Sequence, residues 1–128
     1  MVVKEELTKL GIKYSTVELG EAEHAKSSQD PVLLVTLAYD YASIGDSARS
    51  RTLARQALAL APASPEVEYR AGEVYEIIGN RADAIPLIAR ALAAGYRGYE
   101  FQRNPKLAAL RADPAFESES RKEEEKKK

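Results

Sequence analysis

The chain contains no cysteine, which removes disulfides and thiolate metal sites. A single histidine, His24, is the only soft nitrogen ligand left, so neither a metal site nor a cofactor is expected. Charge of one sign is also missing: 19 Lys and Arg against 20 Asp and Glu leave a formal charge of -1. Binding to nucleic acid or to an anionic membrane needs a concentrated positive surface, which this balance does not supply. The opening residues VVKEELTKLG are too charged for the apolar core of a signal peptide. No later apolar run reaches membrane-spanning length, so a cytoplasmic location is expected. With 128 residues there is room for about one domain and one modest core.

What is present changes character along the chain. Residues 1–30 form a segment of their own, in which Val3, Leu7 and Leu10 recur at helical spacing before Gly11 and predict a short helix over 2–10. Residues 12–19 are β-branched and aromatic and predict a strand, followed by a polar linker that ends in an N-cap at Asp30. From Pro31 onward the sequence is rich in alanine and leucine, and four helices are expected over 31–44, 48–60, 65–78 and 82–94. Asn104-Pro105 opens a further helix with an apolar stripe at Leu107, Leu110 and Phe116, interrupted at Asp113-Pro114. Residues 118–128 are almost wholly charged or serine and are expected to be a disordered tail.

The four central helices repeat. The offset that carries Pro31 onto Pro65 also carries Tyr41 onto Tyr75, Ile44 onto Ile78, Gly45 onto Gly79, Ala48 onto Ala82, Ala57 onto Ala91 and Leu58 onto Leu92. Prolines open each unit, glycines sit in each turn, and small residues fall where two helices must approach closely. A repeat of this length with this punctuation predicts a stack of helix-turn-helix units.

These units resemble the tetratricopeptide repeat family, whose pattern is W-x2-L-G-x2-Y, then A-x3-F, then P. The matching positions are Leu34, Leu37, Ala38, Tyr41, Ser50, Ala54 and Pro62 in the first unit, and Glu68, Ala71, Gly72, Tyr75, Ala84, Ile88 and Tyr96 in the second. Neither unit carries the large aromatic at the first position, and the second replaces the closing proline. The segment NPKLAALRADPAF is similar to the short ending that follows the last repeat in bacterial members. The resemblance implies a mainly α fold: repeats over 31–64 and 65–98, a capping helix over 99–117, and the helix-strand segment before them. It also implies a repeat core of Leu34, Leu37, Tyr41, Gly72, Tyr75, Ala84 and Ile88. Residues 2–23 more faintly resemble part of a heavy-metal-associated-like domain. That piece lacks the cysteine pair, so metal binding does not carry over.

In tetratricopeptide folds the first helix of each pair lines a concave groove. The resemblance places Val32, Val35, Tyr39 and Ser43 there from the first unit, and Glu66, Tyr69, Glu73 and Glu76 from the second. Such a surface, apolar and aromatic at one end and acidic at the other, suits a peptide with an apolar anchor and basic residues. The plainer reading makes Glu66, Glu73 and Glu76 an ordinary solvated helix face. Family members that grip a terminal carboxylate use Lys, Asn and Arg, which these positions lack.

No catalytic residue is identified. His24 sits in the polar linker without a nucleophile beside it, Glu5-Glu6 and Glu123 to Glu125 have nothing to fix their spacing, and no phosphate loop is present. The expectation is therefore a non-enzymatic adaptor that binds a protein or peptide in its groove. Two alternatives stay open: a regulatory fragment of a larger bacterial signalling protein or transcription regulator, and a metal-related role for the N-terminal segment. Two repeats bury little surface, so support is expected from the C-terminal cap, from the N-terminal segment folding back, or from a second copy paired through the 12–19 strand as a homodimer.

Overall fold

The structure, a computed structural model, describes residues 29–127. The helix over 2–10, the strand over 12–19, the linker and His24 lie outside the described residues, and so does the strand-mediated dimer. Four helices make up the body: α1 (Pro31–Ser43), α2 (Ser47–Leu60), α3 (Pro65–Ile77) and α4 (Arg81–Ala93). They are followed by α5 (Gly98–Arg103), a 3-10 turn (Pro105–Leu107), α6 (Ala108–Arg111) and α7 (Pro114–Lys126). The described residues are mainly helical and contain no strand.

Each helix begins and ends for local reasons. Asp30 accepts hydrogen bonds from the amides of Val32 and Leu33 at 3.0 and 3.2 Å, and Ser64 accepts one from Val67 at 3.3 Å. Pro31 and Pro65 then stand at the first helical position, where an amide hydrogen would have no partner. At the other end Gly45 and Gly79 take φ of +87° and +86°, a left-handed conformation that side chains resist. The chain closes behind each glycine in the same way: the amide of Asp46 donates to the Tyr41 carbonyl at 2.9 Å, and that of Asn80 to the Tyr75 carbonyl at 2.7 Å.

The hairpins so formed stack. α1 packs on α2 and α3 on α4, while α3 also lies against both helices of the first hairpin. Equivalent helices keep the offset read from the sequence, since Pro31 and Ser47 start the first pair and Pro65 and Arg81 the second. The core runs through all four, with Leu34, Leu37, Ala38, Tyr41, Leu53, Ala54, Val67, Ala71, Val74, Tyr75, Ala84, Leu87 and Ile88 buried. Gly72 is buried where α3 crosses α4. A Cβ built on it would stand 2.7 Å from Cγ1 and Cδ1 of Ile88, so the two backbones approach only because no side chain intervenes.

Two features depart from the sequence reading. The cap expected as one helix over 99–117 is instead α5, the 3-10 turn and α6, because Asn104 bonds the Lys106 amide at 3.0 Å and restarts the chain at Pro105. Its buried residues are Phe101, Leu107 and Leu110, and the 3-10 turn reaches α3.

The tail expected to be disordered from residue 118 is helical to Lys126. Asp113 caps α7 and Phe116 stacks on Phe101 with ring centres 5.2 Å apart, holding the helix against α4. Along it, Glu117 pairs with Arg121 at 2.5 Å, Glu123 with Lys126 at 3.0 Å and Glu124 with Lys127 at 3.6 Å. Pairs at this spacing each favour the helix by about 0.2–0.5 kcal/mol, so a composition that looks uniformly solvated is helix-forming once one end is anchored.

The Gly72 contact gives a test. Alanine in place of glycine within a helix gains about 1 kcal/mol of propensity, while overpacking a closed contact costs about 1–3 kcal/mol. Because Ile88 is fully buried and has little room to yield, Gly72→Ala is expected to lose about 1 kcal/mol net in urea unfolding.

Candidate functional site

The stacking of α1 beside α3 places like positions opposite each other. Val35 and Tyr69, Thr36 and Arg70, and Tyr39 and Glu73 are equivalent positions of the two repeats, and all six line one groove of about 170 Å³ that Arg97 and Glu100 complete. Across it, Arg70 Nη1 donates to Thr36 Oγ1 at 3.4 Å.

Four of the eight residues assigned to a groove from sequence are brought together here: Val35, Tyr39, Tyr69 and Glu73. Their exposure differs from what the assignment implies. Val35 and Tyr69 are 0% and 2% exposed, so they form the floor, and Tyr39 and Glu73 are the half-buried members that present a surface. Val32 packs half-buried against the core, and the Ser43 hydroxyl donates to the Tyr39 carbonyl at 3.0 Å. Glu66 pairs with Arg70 at 3.4 Å. Glu76 does not line the groove: its two carboxylate oxygens accept from Arg81 at 3.0 and 2.7 Å, and Arg81 reaches on to Asp113 at 3.4 Å. That pair ties the end of α3 to the start of α4 and to the cap of α7.

The residues missed from sequence come mainly from the segment after α4. Glu100 accepts a hydrogen bond from the Tyr69 hydroxyl, and Asn104 Nδ2 donates both to Glu73 at 2.7 Å and to Glu100 at 3.1 Å. Two carboxylates thus share one amide at the groove edge. Lys106 places its ammonium 4.3 Å from the centre of the Tyr39 ring, within range of a cation-π interaction. Tyr96 meets Tyr69 edge-on at 5.6 Å, and Arg97 lies over Tyr96 at 5.3 Å. Thr36 and Arg70 were legible in principle, since each is the repeat counterpart of the other. No spacing rule points to Glu100, Asn104 or Lys106, which arrive on the short α5 and the turn that follows it.

The electrostatics follow from this crowding. Burial raises the pKa of Glu73 above its ordinary value; the Asn104 hydrogen bond opposes this, nearby Glu100 reinforces it, and Arg70 and Arg97 oppose it. The Tyr69 phenol is likewise pushed up, first by burial and then by its bond to Glu100. Among the described residues no group of three or more His, Asp or Glu is disposed to hold a metal ion, and no helix is long and apolar enough to cross a membrane. Compared with protein-family models, curated proteins and solved structures, the chain matches none of them.

Glu73 supplies a pH test. Its folded-state pKa is raised, so its contribution to stability is complete below the ordinary value of 4.5 and is lost as pH rises through the folded value. Glu73→Gln keeps an acceptor for Asn104 but never ionises. Its melting temperature should match that of the native chain below pH 4.5 and increasingly exceed it as pH rises through the folded value.

Proposed function

We propose that the chain is a non-enzymatic interaction module of tetratricopeptide type, whose α1–α3 groove takes a polypeptide segment carrying a basic side chain beside an apolar one. The repeat assignment is supported by two hairpins that start one repeat apart, at Pro31 and Pro65, and whose equivalent positions face each other across the groove. The choice of ligand rests on one observation: Tyr39 already accepts an ammonium, that of Lys106, while Glu73 and Glu100 stand at the same groove with one amide between them. A lysine or arginine from a partner meets both kinds of recognition, an aromatic face and a carboxylate pair.

Backbone conformation supports the same place. Arg97 has φ of +51° and is the only non-glycine with positive φ among the described residues. Glycine would adopt this conformation at less cost, by about 1 kcal/mol, and glycines stand close by at Gly95 and Gly98. Strain of this kind is concentrated at functional positions, and here it sets a guanidinium at the groove rim.

Binding a cation favours the ionised form of Glu73. Affinity for a basic peptide is therefore expected to rise as pH is raised from below the ordinary value of 4.5 through the higher folded value, because at acid pH the proton on Glu73 must first be displaced. Calorimetry with lysine- and arginine-containing peptides tests this. Tyr39→Ala and Glu73→Lys should each weaken binding by about tenfold or more, a change of at least about 1.4 kcal/mol. Equal binding of acidic peptides, or affinity untouched by Glu73→Lys, would remove the proposal.

A further inference from the structure

Opposite charges that line one small groove ordinarily pair with each other, and here they do not. Glu73, Glu100, Arg70 and Arg97 all line the α1–α3 groove, yet among the described residues no ion pair joins either acid to either arginine. The acids are held by neutral donors instead: Asn104 Nδ2 bonds both, and the Tyr69 hydroxyl bonds Glu100. Arg70 pairs outward with Glu66 at 3.4 Å and donates from Nη1 to Thr36 Oγ1 at 3.4 Å, while the Thr36 hydroxyl itself donates to the Val32 carbonyl at 2.8 Å. Arg97 lies over the Tyr96 ring, and its guanidinium makes no hydrogen bond or ion pair among the described residues. The two kinds of charge are also set apart along the helices. Thr36 and Arg70 stand three residues before Tyr39 and Glu73, about 4.5 Å along the axis at a rise of about 1.5 Å per residue. Tyr96 rests edge-on against Tyr69, the neighbour of Arg70, and so brings Arg97 to that same turn. One turn of the groove is therefore cationic, and the next is aromatic and acidic.

Two guanidinia at the mouth of a groove repel a lone basic side chain and attract an anion placed beside it. We infer that the segment received by this groove carries an acidic side chain within two residues of its basic one, the carboxylate lying between Arg70 and Arg97 while the basic group meets Tyr39, Glu73 and Glu100. This rests on the reading of the groove as a site for a basic segment and supplies the other half of its ligand. Access agrees. Arg97 is exposed and Arg70 keeps 33% of its side-chain surface. Size agrees as well: a groove of about 170 Å³ is below the roughly 300–1,000 Å³ that houses a whole small molecule, so it seats the side chains of a passing polypeptide. A guanidinium offers parallel N–H groups to a carboxylate, so the acid is recognised by direction as well as by charge. The left-handed backbone of Arg97, at φ +51°, is what turns this side chain to the rim. A partner of mixed charge is thereby preferred over a uniformly basic one, because a second cation at the arginine turn is repelled.

Calorimetry on the full chain with short synthetic peptides tests this. Each peptide carries one apolar residue and one lysine, with glutamate set in turn at the two positions before and the two after the lysine, and each has a counterpart with glutamine in that place. At least one placement is expected to bind about threefold or more tighter than its glutamine counterpart, within the range of a partly exposed ion pair. That advantage should disappear in Arg97→Asn, whose side chain tolerates the left-handed backbone, and in Arg70→Gln. Neither arginine is part of the buried core, so circular dichroism should show both variants folded, and either one serves alone. Glutamine peptides should bind the two variants at least as well as the native chain, because a repelling charge has gone. Equal affinity for glutamate and glutamine peptides at every placement would overturn the inference and leave the basic-segment reading standing, as would an advantage that survives both substitutions. Binding of none of the peptides would remove that reading and the inference together.

Discussion

Everything in this molecule is arranged around the burial of α3. It packs against α1, α2 and α4 and is met by the 3-10 turn, so almost no side of it is left to water. Helices enclosed in this way are ordinarily apolar all round, yet α3 reads PEVEYRAGEVYEI and carries Glu66, Glu68, Glu73 and Glu76. Burying a carboxylate without a partner costs several kcal/mol, so those that the packing covers must be answered from a neighbouring element. Glu68, 5% exposed, is answered by Arg90 of α4 at 2.5 Å, Glu76 by Arg81 at the head of α4, and Glu73 by Asn104 beyond α5. Glu66 alone is answered within α3, by Arg70.

The same requirement explains the shape of the candidate site. With Glu68 and Glu76 turned away to clamp α4 and Glu66 paired with Arg70, only Glu73 remains to face the groove, and it does so beside Glu100, which comes from outside the four repeat helices. The irregular run from Arg97 to Leu107 carries polar groups into the groove and an apolar residue, Leu107, into the core at once. A continuous helix over those residues would present one face to α3, whereas the break at Asn104 lets the chain supply Asn104 to two carboxylates and Lys106 to Tyr39.

The hairpins were legible in the sequence because their signals are local and repeated: Pro31 and Pro65 start helices, Gly45 and Gly79 end them, and the constant offset between them fixes which positions correspond. What each position faces was less so. Val35 and Tyr69 sit at the floor of the groove because the neighbouring helices close over them, and Glu76 finds Arg81 because the turn is short. Neither outcome follows from periodicity, which gives the face of a helix but not what covers it. Glu117 to Lys126 misled for a different reason. Their average composition is that of a disordered tail, while their order, with opposite charges three and four apart behind the anchor of Phe116, is that of a helix.

Native-state hydrogen exchange probes the enclosure of α3 most directly. If α3 is held from every side, the amides of Tyr69, Ala71, Val74 and Tyr75 exchange only when the whole molecule unfolds, and those of α7 exchange earlier through local opening. Exchange from α3 as fast as from α7, with the rest of the hairpins still protected, would contradict the account at its centre.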